Sequence, residues 1–230
     1  MTGNELRRFE AMLSSMAFGN DDQLYGTDWT NRRVVRLDTT TGASETFVAS
    51  AAGGLYGPSG LTFRGDDLYV TSRITGEVLR FDAETGAFRD SFARSARNGP
   101  QRTTVGPDGN LYVANDSCDC IHRFDGDSGT FLDVFVTANV GLSDGATPVF
   151  GPDGNFYLST WTSGILKFDV VGRYLDTLDM SFGATGFTFA SSSWAAPVPE
   201  AATGALWLAA LAILPMVVPR RRRAREALRS

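Results

Sequence analysis

Histidine and cysteine are nearly absent from this 230-residue chain, which holds one of the first and two of the second. A lone histidine leaves no Ser-His-Asp or Cys-His arrangement to assemble, so a nucleophile motif is excluded. The first twenty residues lack an apolar leader. Their longest uncharged run, Ala11 to Asn20, is polar at Ser14, Ser15 and Asn20 and too weak for the core of a signal peptide. Long 3.6-period runs are missing from residues 13–190, which excludes helix pairs and heptads there. A basic face is missing as well: 21 Lys and Arg stand against 26 Asp and Glu, and no nucleic-acid partner is expected. What is present is 43% hydrophobic residues, enough for a real core and too many for wholesale disorder.

The net charge of −5 conceals an asymmetry. Residues 220–230 carry six arginines and one glutamate, a local +5, which leaves 15 basic and 25 acidic groups, or −10, on the rest. Residues 201–219 contain no charged side chain. As a helix, nineteen such residues rise about 28 Å, close to the hydrocarbon thickness of a bilayer. Arg220, Arg221, Arg222, Arg223 and Arg225 then form a membrane stop, held on the cytoplasmic side by the positive-inside rule.

Upstream, Ala195–Glu200 is a small-residue and proline linker. The order Val198-Pro199-Glu200, apolar span, arginine cluster resembles the PEP-CTERM sorting signal, with Ala201 in place of the second proline. That resemblance implies an exosortase-type partner, export, and a bacterium that makes extracellular polysaccharide. The expected organisation is a leader at 1–12, a repeat body at 13–190, a linker at 191–200, a transmembrane helix at 201–219 and an arginine-rich cytoplasmic tail at 220–230.

The body repeats. Tyr25, Tyr69, Tyr112 and Tyr157 recur at spacings of 44, 43 and 45 residues. Asp38, Asp82, Asp125 and Asp169 keep nearly the same period, as do Gly42, Gly86, Gly129 and Gly172. Each unit reads as a short apolar piece, a tight turn such as Gly106-Pro107-Asp108-Gly109-Asn110, and a strand such as Leu111-Tyr112-Val113. After a variable loop come a second strand, a turn such as Asp82-Ala83-Glu84-Thr85-Gly86, and a last strand. Proline presets φ at the first corner, aspartate bonds the following amides and glycine takes positive φ. Four short strands per 43 or so residues predict an all-β fold, a β-propeller of about four recognisable four-stranded blades followed by the transmembrane helix.

The stretch GPDGNLYVAN…IHRFDGDSGTFLDVF resembles the NHL-type repeat of six-bladed propellers, in the version common among PEP-CTERM proteins. Gly186-Phe187-Thr188-Phe189 matches the opening strand of a fifth unit. Two arrangements are open: a four-bladed or open propeller, or a chain truncated at its N-terminus. Truncation would account for the missing blades and the missing leader together.

Propeller sites are built from loops of several blades, so the positions after each recurrent tyrosine are the candidates. Thr27-Asp28-Trp29, Thr71-Ser72-Arg73, Ala114-Asn115-Asp116 and Ser159-Thr160-Trp161 differ while the flanking strands agree. Asp28, Trp29, Ser72, Arg73, Asn115, Asp116, Thr160 and Trp161 would suit a carbohydrate face, through aromatic stacking and polar hydrogen bonds. The same residues also suit ordinary loop roles. The alternative is a metal-dependent enzyme, similar to gluconolactonase-like or streptogramin-lyase-like propellers. Asp28 and Asn115 stand at suitable places for Ca²⁺, but no acidic set recurs to supply its six to eight oxygens, so no cofactor is expected.

Cys118, Cys120 and His122 fall at i, i+2 and i+4. On one strand, same-face Cβ atoms stand about 6.5–7 Å apart, too far for one Zn²⁺ to reach all three at about 2.0–2.3 Å. The register places His122 with Leu79 and Leu166, an apolar core position. Cys118 and Cys120 fall at the loop end of that strand, where a local disulfide is open to them after export.

Overall fold

The computed structural model describes residues 13–95, 99–137, 146–160, 164–178, 187 and 189. Their strands form four sheets, each a four-stranded antiparallel meander. Blade 1 comprises β1 (Leu13–Phe18), β2 (Leu24–Asp28), β3 (Arg33–Leu37) and β4 (Ser44–Val48). Blade 2 comprises β5 (Pro58–Arg64), β6 (Asp67–Ser72), β7 (Glu77–Asp82) and β8 (Phe88–Arg94). Blade 3 comprises β9 (Pro100–Val105), β10 (Leu111–Asn115), β11 (Cys120–Phe124) and β12 (Phe131–Val136). Blade 4 comprises β13 (Pro148–Phe150), β14 (Phe156–Thr160), β15 (Gly164–Phe168) and β16 (Tyr174–Leu178). The described residues form a β-propeller with four four-stranded blades, as the repeat period predicts.

Blades stack face to face, so their middle strands are covered on both sides. Period-two alternation therefore disappears there: all five residues of β10 and of β14 are buried. The outermost strands keep solvent on one side: β16 is largely exposed, and β12 exposes Phe131, Leu132 and Val134 while burying Phe135 and Val136. The first strands of successive blades adjoin, β1 to β5, β5 to β9 and β9 to β13. Thr62 donates to the Thr103 carbonyl at 2.8 Å across one such seam.

The recurrent tyrosine is the hub of each seam. The Tyr112 ring meets Phe135 of its own outer strand at 4.8 Å and Phe150 of the next blade at 4.9 Å. Tyr25 likewise meets Phe47 at 4.8 Å and Phe63 at 5.0 Å. Phe189 stands 4.9 Å from Tyr157, the same relation, as expected of the opening strand of a further unit. The hydroxyl explains the aspartate four residues earlier: Tyr112 donates to Asp108 at 2.9 Å and Tyr157 to Asp153 at 2.8 Å. Asp108 in turn accepts the Asn110 amide N–H at 3.1 Å, closing the Gly-Pro-Asp-Gly-Asn turn.

The second turn is held the same way in blades 1 to 3, while blade 4, with Gly172 one residue closer, has Asp169 Oδ1 accept the Val171 and Arg173 N–H groups. Asp82 Oδ1 accepts the Thr85 N–H at 2.8 Å, and Asp125 Oδ1 accepts the Ser128 N–H at 2.8 Å. Gly86 and Gly129 adopt φ of +70°, the left-handed region where glycine avoids the Cβ penalty. A second reason for glycine is steric. A Cβ on Gly86 would overlap the Phe47 carbonyl of the preceding blade, and Gly129 and Gly172 meet the carbonyls of Phe92 and Phe135 alike. The recurrent glycine is thus where one blade seats its hairpin on the outer strand of the last.

These turn acids give the fold a pH dependence. Arg89 holds the Asp82 carboxyl well below its ordinary value, the Ser128 N–H holds down Asp125, and the Asn155 side chain holds down Asp153. A carboxylate depressed in the folded state stabilises above its unfolded pKa and stops doing so as pH falls through its folded one. Thermal melts should therefore show a nearly flat Tm above about pH 5 and a steep fall below about pH 4. A Tm unchanged down to pH 3 would contradict the role given to these turns.

Candidate functional site

β2, β6, β10 and β14 end at Asp28, Ser72, Asn115 and Thr160, at one end of the propeller. All four residues are buried there. Asp28 accepts the Asn31 N–H at 3.0 Å, the Asn31 Nδ2 at 2.8 Å and the Arg33 Nε at 2.9 Å. Burial pushes its carboxyl up, but the bonds from Asn31 and Arg33 outweigh that and hold it below its ordinary value. Ser72 Oγ accepts the Tyr56 N–H at 2.9 Å and the Thr75 hydroxyl at 2.7 Å. Asn115 donates to Ser95 Oγ at 2.7 Å and accepts the Ser117 N–H at 2.9 Å, and Thr160 donates to the Gly164 carbonyl at 3.1 Å. Arg73 pairs with Asp116 across blades 2 and 3, and Gln101 joins Asp116 at 3.0 Å. These side chains shape the loop face by tying its turns.

Trp29 is different. It remains 36% exposed beside Tyr56 at 47% and Ile74 at 45%, and the three line one cleft between blades 1 and 2 with Thr30, Arg32 and Gly57. The Arg32 guanidinium lies 5.4 Å over the Tyr56 ring. Gly57, at φ +66°, leaves the space that the Trp29 ring and Ile74 occupy, since a Cβ there would meet both. The cleft offers two aromatic faces, a guanidinium and a threonine to one ligand. Tyr56, Arg32 and Ile74 were not among the sequence candidates. Tyr56 sits in a blade connection outside the recurrent register, and Ile74 falls one position past the compared triplet. Trp161 lies outside the described residues, as do Val198, Pro199, Glu200, residues 201–219 and Arg220, Arg221, Arg222, Arg223 and Arg225. Among the described residues no helix is long and apolar enough to cross a membrane.

At the cysteine corner the structure shows the local disulfide that the sequence leaves open. Cys118 is not on β11, which begins at Cys120, but in the turn before it, so the strand spacing does not apply. A disulfide joins Cys118 to Cys120, with Cα atoms 5.2 Å apart. His122 is buried, as its register predicts, with Nε2 3.6 Å from Cys118 Sγ and Nδ1 3.0 Å from Ser95 Oγ. Burial lowers its pKa, so the ring is neutral near pH 7. The ligand atoms of Cys118, Cys120 and His122 all lie within 4.8 Å of one another.

The architecture defines the class as a β-propeller. No family model matches the chain, and no curated protein matches it in sequence. Among solved structures, it is similar to a catalytically inactive virginiamycin B lyase variant from Staphylococcus aureus with quinupristin. That likeness has a TM-score of 0.58 at 17% identity, over 73% of this chain and 56% of that one. Hydrazine synthase of Kuenenia stuttgartiensis gives 0.58 at 18% identity, over 76% of this chain and 51% of that one. The computationally designed Ika4 protein gives 0.50 at 13% identity, over 74% of this chain and 99% of that one. The chain thus spans about half the length of the two natural proteins. At these identities the likeness concerns the fold.

Proposed function

We propose that this chain is an exported, envelope-anchored propeller that binds extracellular polysaccharide through the Trp29–Tyr56 cleft. The cleft carries the reading. Two exposed rings with a nearby guanidinium suit the apolar faces and hydroxyls of sugar rings. The terminal order Val198-Pro199-Glu200, apolar span and arginine cluster supports export, exosortase-type sorting and a membrane-spanning helix at 201–219 with its arginines inside. Trp161, in the register of Trp29, is a second candidate contact.

The test uses the full chain against bacterial exopolysaccharides in affinity electrophoresis or calorimetry. Trp29→Ala should weaken binding about 10- to 100-fold, the loss of one buried aromatic contact of about 1.5–3 kcal/mol. Unchanged binding by Trp29→Ala and Tyr56→Ala would remove the cleft from the proposal. Turnover of a lactone or a streptogramin by the wild-type chain would replace it with an enzymatic reading. Membrane fractionation tests the anchor: removing residues 201–230 should release the protein from the membrane fraction.

A further inference from the structure

We infer that reduction of the Cys118–Cys120 disulfide opens a buried Cys₂His site for Zn²⁺, with His122 already aimed by Ser95. The other blades place Val35, Leu79 and Leu166 where blade 3 has His122. The fold itself thus needs an apolar side chain there. Blade 3 instead combines the chain's one histidine with its only two cysteines.

The geometry suits a tetrahedral cation. Zn–S near 2.3 Å and Zn–N near 2.0–2.1 Å put sulfur and nitrogen about 3.5–3.6 Å apart, and Cys118 Sγ lies 3.6 Å from His122 Nε2. Cys120 Sγ belongs to the same 4.8 Å cluster, so the sulfurs need only part from one another. The second shell is in place. Asn115 Nδ2 donates to Ser95 Oγ, which leaves that oxygen a lone pair for the Nδ1–H of a histidine ligating through Nε2. Asp119, between the cysteines, has a buried carboxylate oxygen without a hydrogen-bond partner among the described residues, a negative charge that favours a cation here. Cys120 and His122 are buried and Cys118 is half-buried, so three protein ligands hold the ion and water takes the fourth tetrahedral position.

The switch balances with a dithiol as reductant. Its thiolate attacks the half-buried Cys118 sulfur, the S–S bond breaks, and Cys120 leaves as a thiolate and takes a proton. The second reductant thiol then resolves the mixed disulfide and leaves as the reductant's own disulfide, so two electrons and two protons reach the protein. Zn²⁺ binding releases the two thiol protons to solvent. Because the disulfide closes a loop of only three residues, its opening removes little chain constraint, and the blade is expected to survive it.

The experiment reduces the full chain, removes the reductant without air, and titrates Co²⁺ as a probe. We expect a thiolate-to-cobalt charge-transfer band that saturates at one equivalent, is bleached by Zn²⁺, and is absent from the oxidised chain. The chain has no other thiols, so the band reports this corner alone. Ser95→Ala should weaken binding about 10- to 100-fold, and His122→Asn at least as much. No band in the reduced wild type, or equal affinity in His122→Asn, overturns the site. If circular dichroism shows His122→Asn unfolded, Cys118→Ser decides instead: a band of undiminished intensity overturns the site, and a weakened one supports it.

Discussion

Gly129→Ala should destabilise the propeller by about 2–5 kcal/mol. Two costs add at this position. A non-glycine residue at φ +70° pays roughly 1–2 kcal/mol for the left-handed conformation. The new methyl would also overlap the Phe92 carbonyl, and forcing an atom into packed structure costs about 1–3 kcal/mol. The obstacle is backbone, which cannot rotate away as a flexible side chain can. Either the hairpin lifts from blade 2 or β8 shifts beneath it. Gly154→Ala is the control: its φ is +76°, yet a Cβ there meets nothing within 4 Å. It should cost only the conformational part, about 1–2 kcal/mol. Urea melts of the two variants separate the terms, and equal losses would mean that the contact between blades is not what requires glycine at 129.

Tyr112→Ala should be at least as damaging, about 3–5 kcal/mol, the range for deleting a large buried ring. The ring touches Phe135, Phe150 and Phe156 at once, so its loss opens a cavity on the seam between blades 3 and 4. Tyr112→Phe keeps the ring and removes only the bond to Asp108, at a cost of about 1 kcal/mol. Desolvation pushes the Tyr112 phenol up to about 12, with the Asp108 bond and charge adding to it. An acid whose folded pKa is raised stabilises below its unfolded value, here 10.0, and stops doing so as pH rises through the folded one. Alkaline titration should therefore show this phenol ionising above its ordinary range, together with unfolding. A Tyr112→Ala protein that melts like wild type would contradict the role of the ring as the hub of the seam.

The turn aspartates, the recurrent tyrosines and the glycines were legible because their work is local or repeats with the blade. Asp108 binds an amide two residues on and a hydroxyl four residues on, so spacing alone shows the relation. The glycine was legible for one of its two reasons. Positive φ follows from the turn, whereas the overlap with the carbonyl of Phe92 requires the preceding blade to be in place. The loop face was legible as a place but not as a set of contacts. Asp28, Ser72, Asn115 and Thr160 look like free polar residues in sequence, yet each is tied by hydrogen bonds: Asp28 to Asn31 and Arg33, Ser72 to Tyr56 and Thr75, Asn115 to Ser95 and Ser117, and Thr160 to Gly164. Tyr56 joins Trp29 from 27 residues away, through a connection that the repeat register does not cover.

The cysteine corner shows the same boundary. The strand spacing holds only if Cys118, Cys120 and His122 share one strand, and the turn before β11 places Cys118 off it, beside the imidazole. By itself, then, the sequence determined the blade: four strands, two turns and an apolar seam, all set within some 43 residues by hydrogen bonds and side chains close in the chain. Only the tertiary structure decided which side chains face solvent at the loop end and which sulfur meets the histidine. Those outcomes depend on how blades stack and where a turn leaves its strand, and no local period carries that information.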